Sequence, residues 1–408
     1  MNRNSPLLLL FLVACSGGTP EPPGELVRSD LQRELAPSVS EADTKQFAHD
    51  RTAFALDLYK SNALDENVVV SPYSVDAVMA MLYAGAKSTT ETQMASGMHY
   101  TLPSDVLHAA FNRVDLELAS RGEDAKSSNG GDFMLRSVNQ LFAQKGFAIH
   151  APYLDTLALN YGAPVSLMDF AGEAEPSRIA INEWISAMTE GLIPELLKSG
   201  SIDASIVLVL ANAVYFDGAW QAEFEAEDID FDGKQVAGFV GRSRGRYVKG
   251  DDYEAVAVPY DDNQVELVVI EPNDFGAFHA ALDADRLTAT LDELRGVDID
   301  LSMPKFDIRS EHKLEAPMQK MGIVDLFAAA DLSGIAGAPG ELFLAWLVQE
   351  AVIKVSERGT VAAAATGGGV GIVSIPETVT VKIDRPFIYA LRDRGTGALL
   401  FMGHVTKL

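Results

Sequence analysis

Gly241-Arg242-Ser243-Arg244-Gly245 spells G-x-S-x-G, the pattern that presents a serine nucleophile on a strained strand-to-helix elbow. That chemistry needs an apolar strand before the serine and a helix after it. Here arginines flank Ser243 and Tyr247-Val248-Lys249-Gly250 follows, a poor helix start, so the stretch reads as a polar loop with a basic cluster. Ser302-Met303-Pro304-Lys305 matches S-x-x-K, but Pro304 stands where a helix is required. The seven histidines are scattered, with no H-E-x-x-H and no pair at ligand spacing, so no metal site is expected. Glycine pairs occur without the strand–turn–helix setting of a phosphate loop, and no cofactor site is expected. No catalytic residue is assigned, and the chain does not read as an enzyme.

The single cysteine, Cys15, excludes an intramolecular disulfide and is itself a chemical handle. Arg3 precedes an apolar run from Leu7 to Val13, too short to span a bilayer and suited to the apolar part of a signal peptide. Leu12-Val13-Ala14-Cys15 resembles a bacterial lipoprotein box, with a small residue at the cut and a thiol beside it. The resemblance implies cleavage before Cys15 and acylation of its sulfur. Several acyl chains on one residue anchor stably where one does not. Ser16, rather than an aspartate, points by analogy to the outer membrane. Residues 1–14 are thus expected to be a signal peptide, and 15–42 the lipidated cysteine with a flexible Gly- and Pro-containing tether. The exported protein would be lipid-anchored at the cell envelope, periplasmic or surface-exposed.

Beyond the tether, no linker, repeat or membrane span divides the chain, and one domain over 43–408 is the simplest organisation. A hydrophobic content of 48% allows a large core, and a formal net charge of −26 disfavours nucleic acid and anionic lipid as partners. Membrane contact is therefore expected through the lipid alone. Asp43 or Thr44 is expected to cap a first helix, and Ser71-Pro72 to start a second running to about Ala86. Further helical patterns cover Val106–Leu118, Ser177–Glu190, Phe278–Leu294 and Lys313–Met321, the last closed by Gly322. Strand-like runs are Phe133–Phe142, Ile206–Phe216, Ala255–Pro259, Val265–Ile270, Val297–Phe306, Leu344–Glu357, Val379–Ile383, Phe387–Arg392 and Leu399–Val405. Helices and strands without a βαβ rhythm favour an α+β fold with mainly antiparallel sheets.

One segment fits neither core nor ordinary turn. Glu357-Arg358-Gly359-Thr360-Val361-Ala362-Ala363-Ala364-Ala365-Thr366-Gly367-Gly368-Gly369 follows an apolar strand and precedes Val370-Gly371-Ile372-Val373-Ser374-Ile375-Pro376. From Val361 to Ile375 it has no proline and no charge. Side chains alternate along a strand, so one face would carry Thr360, Ala362, Ala364, Thr366, Gly368 and Val370, all small. Such a strip could enter between two strands of a sheet without steric conflict. Each pairing hydrogen bond contributes about 1 kcal/mol net, and a dozen with burial would make entry strongly downhill.

The same segment resembles the serpin hinge, Glu-x-Gly-Thr-x-Ala-Ala-Ala-Ala-Thr. Further stretches resemble serpin motifs in the right order. They are Asn67-Val68-Val69-Val70-Ser71-Pro72-Tyr73-Ser74, Ile181-Asn182-Glu183-Trp184 and Asn212-Ala213-Val214-Tyr215-Phe216-Asp217-Gly218-Ala219-Trp220. Met303-Pro304-Lys305-Phe306, Met321-Gly322 and Asp384-Arg385-Pro386-Phe387 complete the series. The resemblance implies a serpin fold with about three mainly antiparallel sheets, eight or nine helices and an exposed reactive loop over 357–376. It implies a suicide inhibitor of serine proteases, with cysteine proteases as a further class: the protease cuts the loop, and the cut loop enters the central sheet before the acyl-enzyme hydrolyses. Counting from Glu357 as inhibitory members do puts the bait bond at Val373–Ser374, with Ile372 the next candidate. Valine there suits an elastase- or subtilisin-like protease with a small apolar pocket. By position, Ser71, Ser74, Asn212 and Gln349 would lie where the sheet parts, and Trp220 near the point of entry. Gln349 stands where the family has a histidine, which removes a titrating group. A monomer is expected. The alternative is a non-inhibitory lipoprotein on the same fold, with a binding or chaperone-like role, whose loop is cut as a plain substrate.

Overall fold

The computed structural model describes residues 20–121, 134–261, 263–360 and 378–408. Cys15, residues 1–14 and the loop residues Ala362, Ala363, Ala364, Ala365, Thr366, Val373 and Ser374 lie outside them.

The first third of the chain is mainly helical. It runs through β1 (Glu25–Val27), α1 (Glu41–Lys60), β2 (Val68–Val70), α2 (Pro72–Tyr83), α3 (Ser88–Gly97), α4 (Ser104–Ala119), β3 (Met134–Gln144), α5 (Ala151–Tyr161), β4 (Val165–Met168) and α6 (Ala174–Met188). A strand-rich stretch follows: β5 (Leu208–Ala219), β6 (Glu225–Phe231), β7 (Lys234–Lys249), β8 (Tyr253–Pro259) and β9 (Val265–Pro272). Then come α7 (Phe275–Ala281), α8 (Ala284–Glu293), β10 (Arg295–Pro304), β11 (Phe306–Lys313) and α9 (Glu315–Lys320). The chain closes with β12 (Val348–Ser356), β13 (Gly359–Thr360), β14 (Thr378–Lys382), β15 (Phe387–Asp393) and β16 (Leu399–Val405).

One sheet has seven strands in the order β1-β4-β3-β5-β13-β12-β11. A second ladder runs β14-β10-β7-β8-β9-β15-β16-β2, with β6 also on β7. Strand β7 serves two sheets: its residues 234–247 pair with β6 and β10, and its last four residues pair with β8. The architecture is α+β with three mainly antiparallel sheets; β3–β4 and β10–β14 are the parallel pairs. Helix α2 is buried along its whole length, so every one of its residues faces another element. Pro72 occupies the first helical position, where its missing N–H costs nothing.

Several expectations change in detail. Ser40, not Asp43 or Thr44, caps α1, accepting from the Asp43 amide at 3.1 Å. The single helix expected over Phe278–Leu294 is two, because Asp283 caps a fresh start by accepting from the Arg286 amide at 2.8 Å. The basic stretch around Ser243 is no loop but the middle of β7. Arg242, Arg244 and Arg246 alternate there with Gly241, Ser243 and Gly245, a period of two that a strand satisfies. The tether expected over 15–42 lies against the body from Pro20 onward. Strand β1 pairs with β4, Trp184 Nε1 donates to the Pro20 carbonyl at 3.0 Å, and Arg33 reaches Asn112 and Asp115 at 2.8 and 2.7 Å. A flexible reading from glycine and proline content misses these directional partners, which come from distant helices.

Candidate functional site

The site is a seam in the seven-stranded sheet. Ser356 ends β12, and its hydroxyl accepts from the Arg358 amide at 3.3 Å and donates to the Gly359 carbonyl at 3.3 Å, closing a tight turn. The turn sends the chain back as β13, wedged between β12 and β5. Thr360 pairs with Val355 on one side and Gly218 on the other; Gly359 pairs with Ser356 and Ala219. Below this point one parallel bridge, Val209 to Trp346, links β5 to the chain just ahead of β12 among the described residues. The seam thus holds Gly359 and Thr360 at its upper end.

Each residue of this turn and short strand is dictated by its place. Gly359 has φ +119°, and an added Cβ would stand 2.1 Å from the Gly218 carbonyl oxygen, so only glycine fits. Thr360 is 3% exposed, and its hydroxyl meets the buried Tyr260 hydroxyl at 2.7 Å. Burial without that partner would cost a few kcal/mol, roughly the price of an unmet polar group. Trp220 stacks on Tyr260 at 4.4 Å between centroids, and its Nε1 donates to the Ser356 carbonyl at 2.8 Å. Glu357 pairs with Lys305 at 2.6 Å, and that bond holds its carboxyl below the usual range.

A second cluster lies where β2 and the start of α2 meet β11 and β12. Gln349 accepts from the Ser71 amide at 2.9 Å and donates to the Ser71 carbonyl at 2.8 Å. The Ser71 hydroxyl, expected to cap α2, makes no cap bond and donates instead to the Leu400 carbonyl at 2.6 Å. The Val69 amide donates to the Ser310 hydroxyl at 3.1 Å, and its carbonyl meets His312 Nε2 at 2.7 Å. Burial lowers the His312 pKa, so charging the ring is disfavoured. Ser74 is fully buried in α2. Asn212 lies in β5, in register with Asn139 of β3.

The structure therefore gathers Gly359, Thr360, Glu357 and Trp220 at the upper end of the seam, and Ser71 with Gln349 beside its middle. Sequence reasoning missed Tyr260, Ser310 and His312. The hydroxyl that receives Thr360 arrives from the end of β8, and nothing local marks it. Ser243 is excluded as a nucleophile: it is 7% exposed in mid-strand and its hydroxyl donates to the Arg244 carbonyl at 3.0 Å. Among the described residues no group of three or more His, Cys, Asp or Glu could hold a metal.

A seven-stranded sheet in which Gly359 and Thr360 stand between β5 and β12, packed with helices and a second strand ladder, defines the class of fold. The family model described as Serpin (serine protease inhibitor) matches residues 49–408, and the chain belongs to the serpin family. It is 31% identical to the leukocyte elastase inhibitor of Sus scrofa, over 89% of this chain and 100% of that protein. It is 29% identical to that of Homo sapiens, over 89% and 100%. Among solved structures it resembles the thermophilic serpin tengpin in its native state, at 24% identity and TM-score 0.79, covering 94% of this chain and 98% of that one. Uncleaved ovalbumin shares the fold at 22% identity and TM-score 0.75, covering 89% and 100%.

Proposed function

We propose that the protein is a suicide inhibitor of serine proteases that traps an acyl-enzyme by completing the insertion begun at β13. The observation that carries the reading is Thr360 standing in the seam on Tyr260, paired on both sides. Continued one residue at a time, that register brings Thr366 opposite Asn212 and Gln349 and reaches the Val209–Trp346 bridge at Gly369. Residues on the face of Thr360 are then Ala362, Ala364, Thr366 and Gly368, small enough for the buried side. Filling 361–369 would add on the order of ten ladder bonds at about 1 kcal/mol each. Free energy of that size, released only after the loop is cut, would move an attached protease before it deacylates.

The bait bond in this reading is Val373–Ser374, and the target a protease with a small apolar pocket. The leukocyte elastase inhibitors among the relatives support that choice. Export, acylation of Cys15 and anchoring at the cell envelope, with the domain acting as a monomer, complete the proposal. The test is incubation of the soluble domain with elastase. An SDS-stable band at the summed mass, with a cut after Val373, is expected. Cleaved loop beside fully active elastase would instead assign the non-inhibitory role.

A further inference from the structure

A different face of the molecule carries a cluster the inhibitory reading does not use. On β7 and β10 the pairs Arg242–Asp300, Arg244–Asp298 and Arg246–Gly296 face each other in register. The first two rungs set a carboxylate opposite each arginine. The third offers only Gly296, where an added Cβ would meet nothing within 4 Å. Arg246 turns instead to Glu266 of β9, with two guanidinium nitrogens bonded to the carboxylate. Arg392 and Arg394, from β15 and the turn after it, converge on the same carboxylate at 3.9 and 3.8 Å.

Three guanidinium groups carry about fifteen N–H donors, and one carboxylate offers about four acceptor sites. The surplus is visible. Arg392 is only 15% exposed, yet its Nε is buried without a partner. Among the described residues, the Arg394 side chain donates hydrogen bonds to the Asn263 carbonyl and side-chain oxygen, both at 3.3 Å. Beside these donors are two adjoining hollows of about 430 and 500 Å³ that share Arg246, Asn263 and Arg394. Burial also lowers the Arg392 pKa. With Asp292 and Asp298 at the rim, four arginines face three carboxylates among the described residues that line the hollows, a net positive lining. In a chain of formal charge −26 this is a local reversal of sign.

We propose that the groove over Glu266, walled by Arg244, Arg246, Arg392 and Arg394, is a binding site for a phosphate-type oxyanion. Guanidinium forks match such oxygens bidentately, and these four arginines line space large enough for a diphosphate. The oxyanion could be free or part of a lipid headgroup, and the chemistry at the groove is the same.

The test titrates the full soluble domain with inorganic pyrophosphate by calorimetry, and separately with vesicles of phosphatidic acid in phosphatidylcholine. Saturable binding of either probe is expected, weakened about tenfold or more in Arg394→Gln. Gly296→Glu, which sets a carboxylate into open space opposite Arg246, is expected to abolish it. Both variants should melt like the wild type when no probe is present. Pyrophosphate binding assigns a free oxyanion, and binding to phosphatidic acid vesicles alone assigns the headgroup. No saturable binding of either probe, or binding unchanged in both variants, overturns the site. Neither readout involves a protease, so the result stands apart from the inhibitory reading.

Discussion

Gly359→Ala isolates the hinge. At φ +119° a residue with a Cβ is strained by roughly 1–3 kcal/mol. The new methyl would also stand 2.1 Å from the Gly218 carbonyl oxygen and 2.8 Å from the Ala219 Cα, both fixed in β5. The hinge can escape only by leaving the seam, which gives up the Thr360–Tyr260 hydrogen bond, about 1 kcal/mol. If about 2.7 kcal/mol of this falls on the insertion step, insertion slows about a hundredfold. Deacylation, a property of the protease, is unchanged, so the partition moves from trapping to turnover. The assay mixes the variant with elastase over a range of molar ratios and compares the SDS-stable band with free cleaved chain. Wild type should trap near one to one; Gly359→Ala should be cut at the same bond with little complex. Trapping by the variant at wild-type stoichiometry would refute the claim that β13 marks the start of insertion.

Tyr260→Phe keeps the ring under Trp220 but leaves the Thr360 hydroxyl without its partner; it should raise the stoichiometry of inhibition several-fold, from a loss of about 1–2 kcal/mol, and a Tyr260→Phe/Thr360→Val pair should recover part of it. Gln349→Leu strands both backbone groups of Ser71 and should lower the urea midpoint by an amount equal to about 2–4 kcal/mol. Acid should weaken the native fold. Burial holds His108 and His279 down to about 4 and lowers His312 and His404. Below the ordinary histidine value of about 6.5 the unfolded chain takes up protons that the native state refuses, so stability falls as pH drops from there to about 4. His108 alone is worth roughly 3 kcal/mol over that window. Glu271, pushed up to about 7 by burial, acts in the opposite sense above its ordinary value and offsets about one histidine. Urea unfolding at stepped pH should show a positive slope, reduced in His108→Gln.

Much of the fold was legible from composition and period. The nine strand-like runs correspond to strands, with shifted ends, because alternation and β-branched residues report a pleated surface directly. Helix α2 was legible from Ser71-Pro72, yet the serine's hydroxyl ties α2 to β16 rather than capping it. Strand β7 was missed because three arginines look like a loop when read for polarity instead of period. The docking of residues 20–40 was missed because its partners Asn112, Asp115 and Trp184 lie far along the chain.

Residue type alone determined that a strip of small, uncharged side chains follows an apolar strand, and that glycine and threonine open it; size, charge and backbone freedom are local properties. The tertiary structure decided where that strip begins to enter, because the gap between β5 and β12 exists only once both strands are placed. It also decided that Tyr260 receives Thr360 and that three arginines meet over Glu266. Those groups are separated by tens to more than a hundred residues, and no sequence pattern encodes the distances that only packing creates.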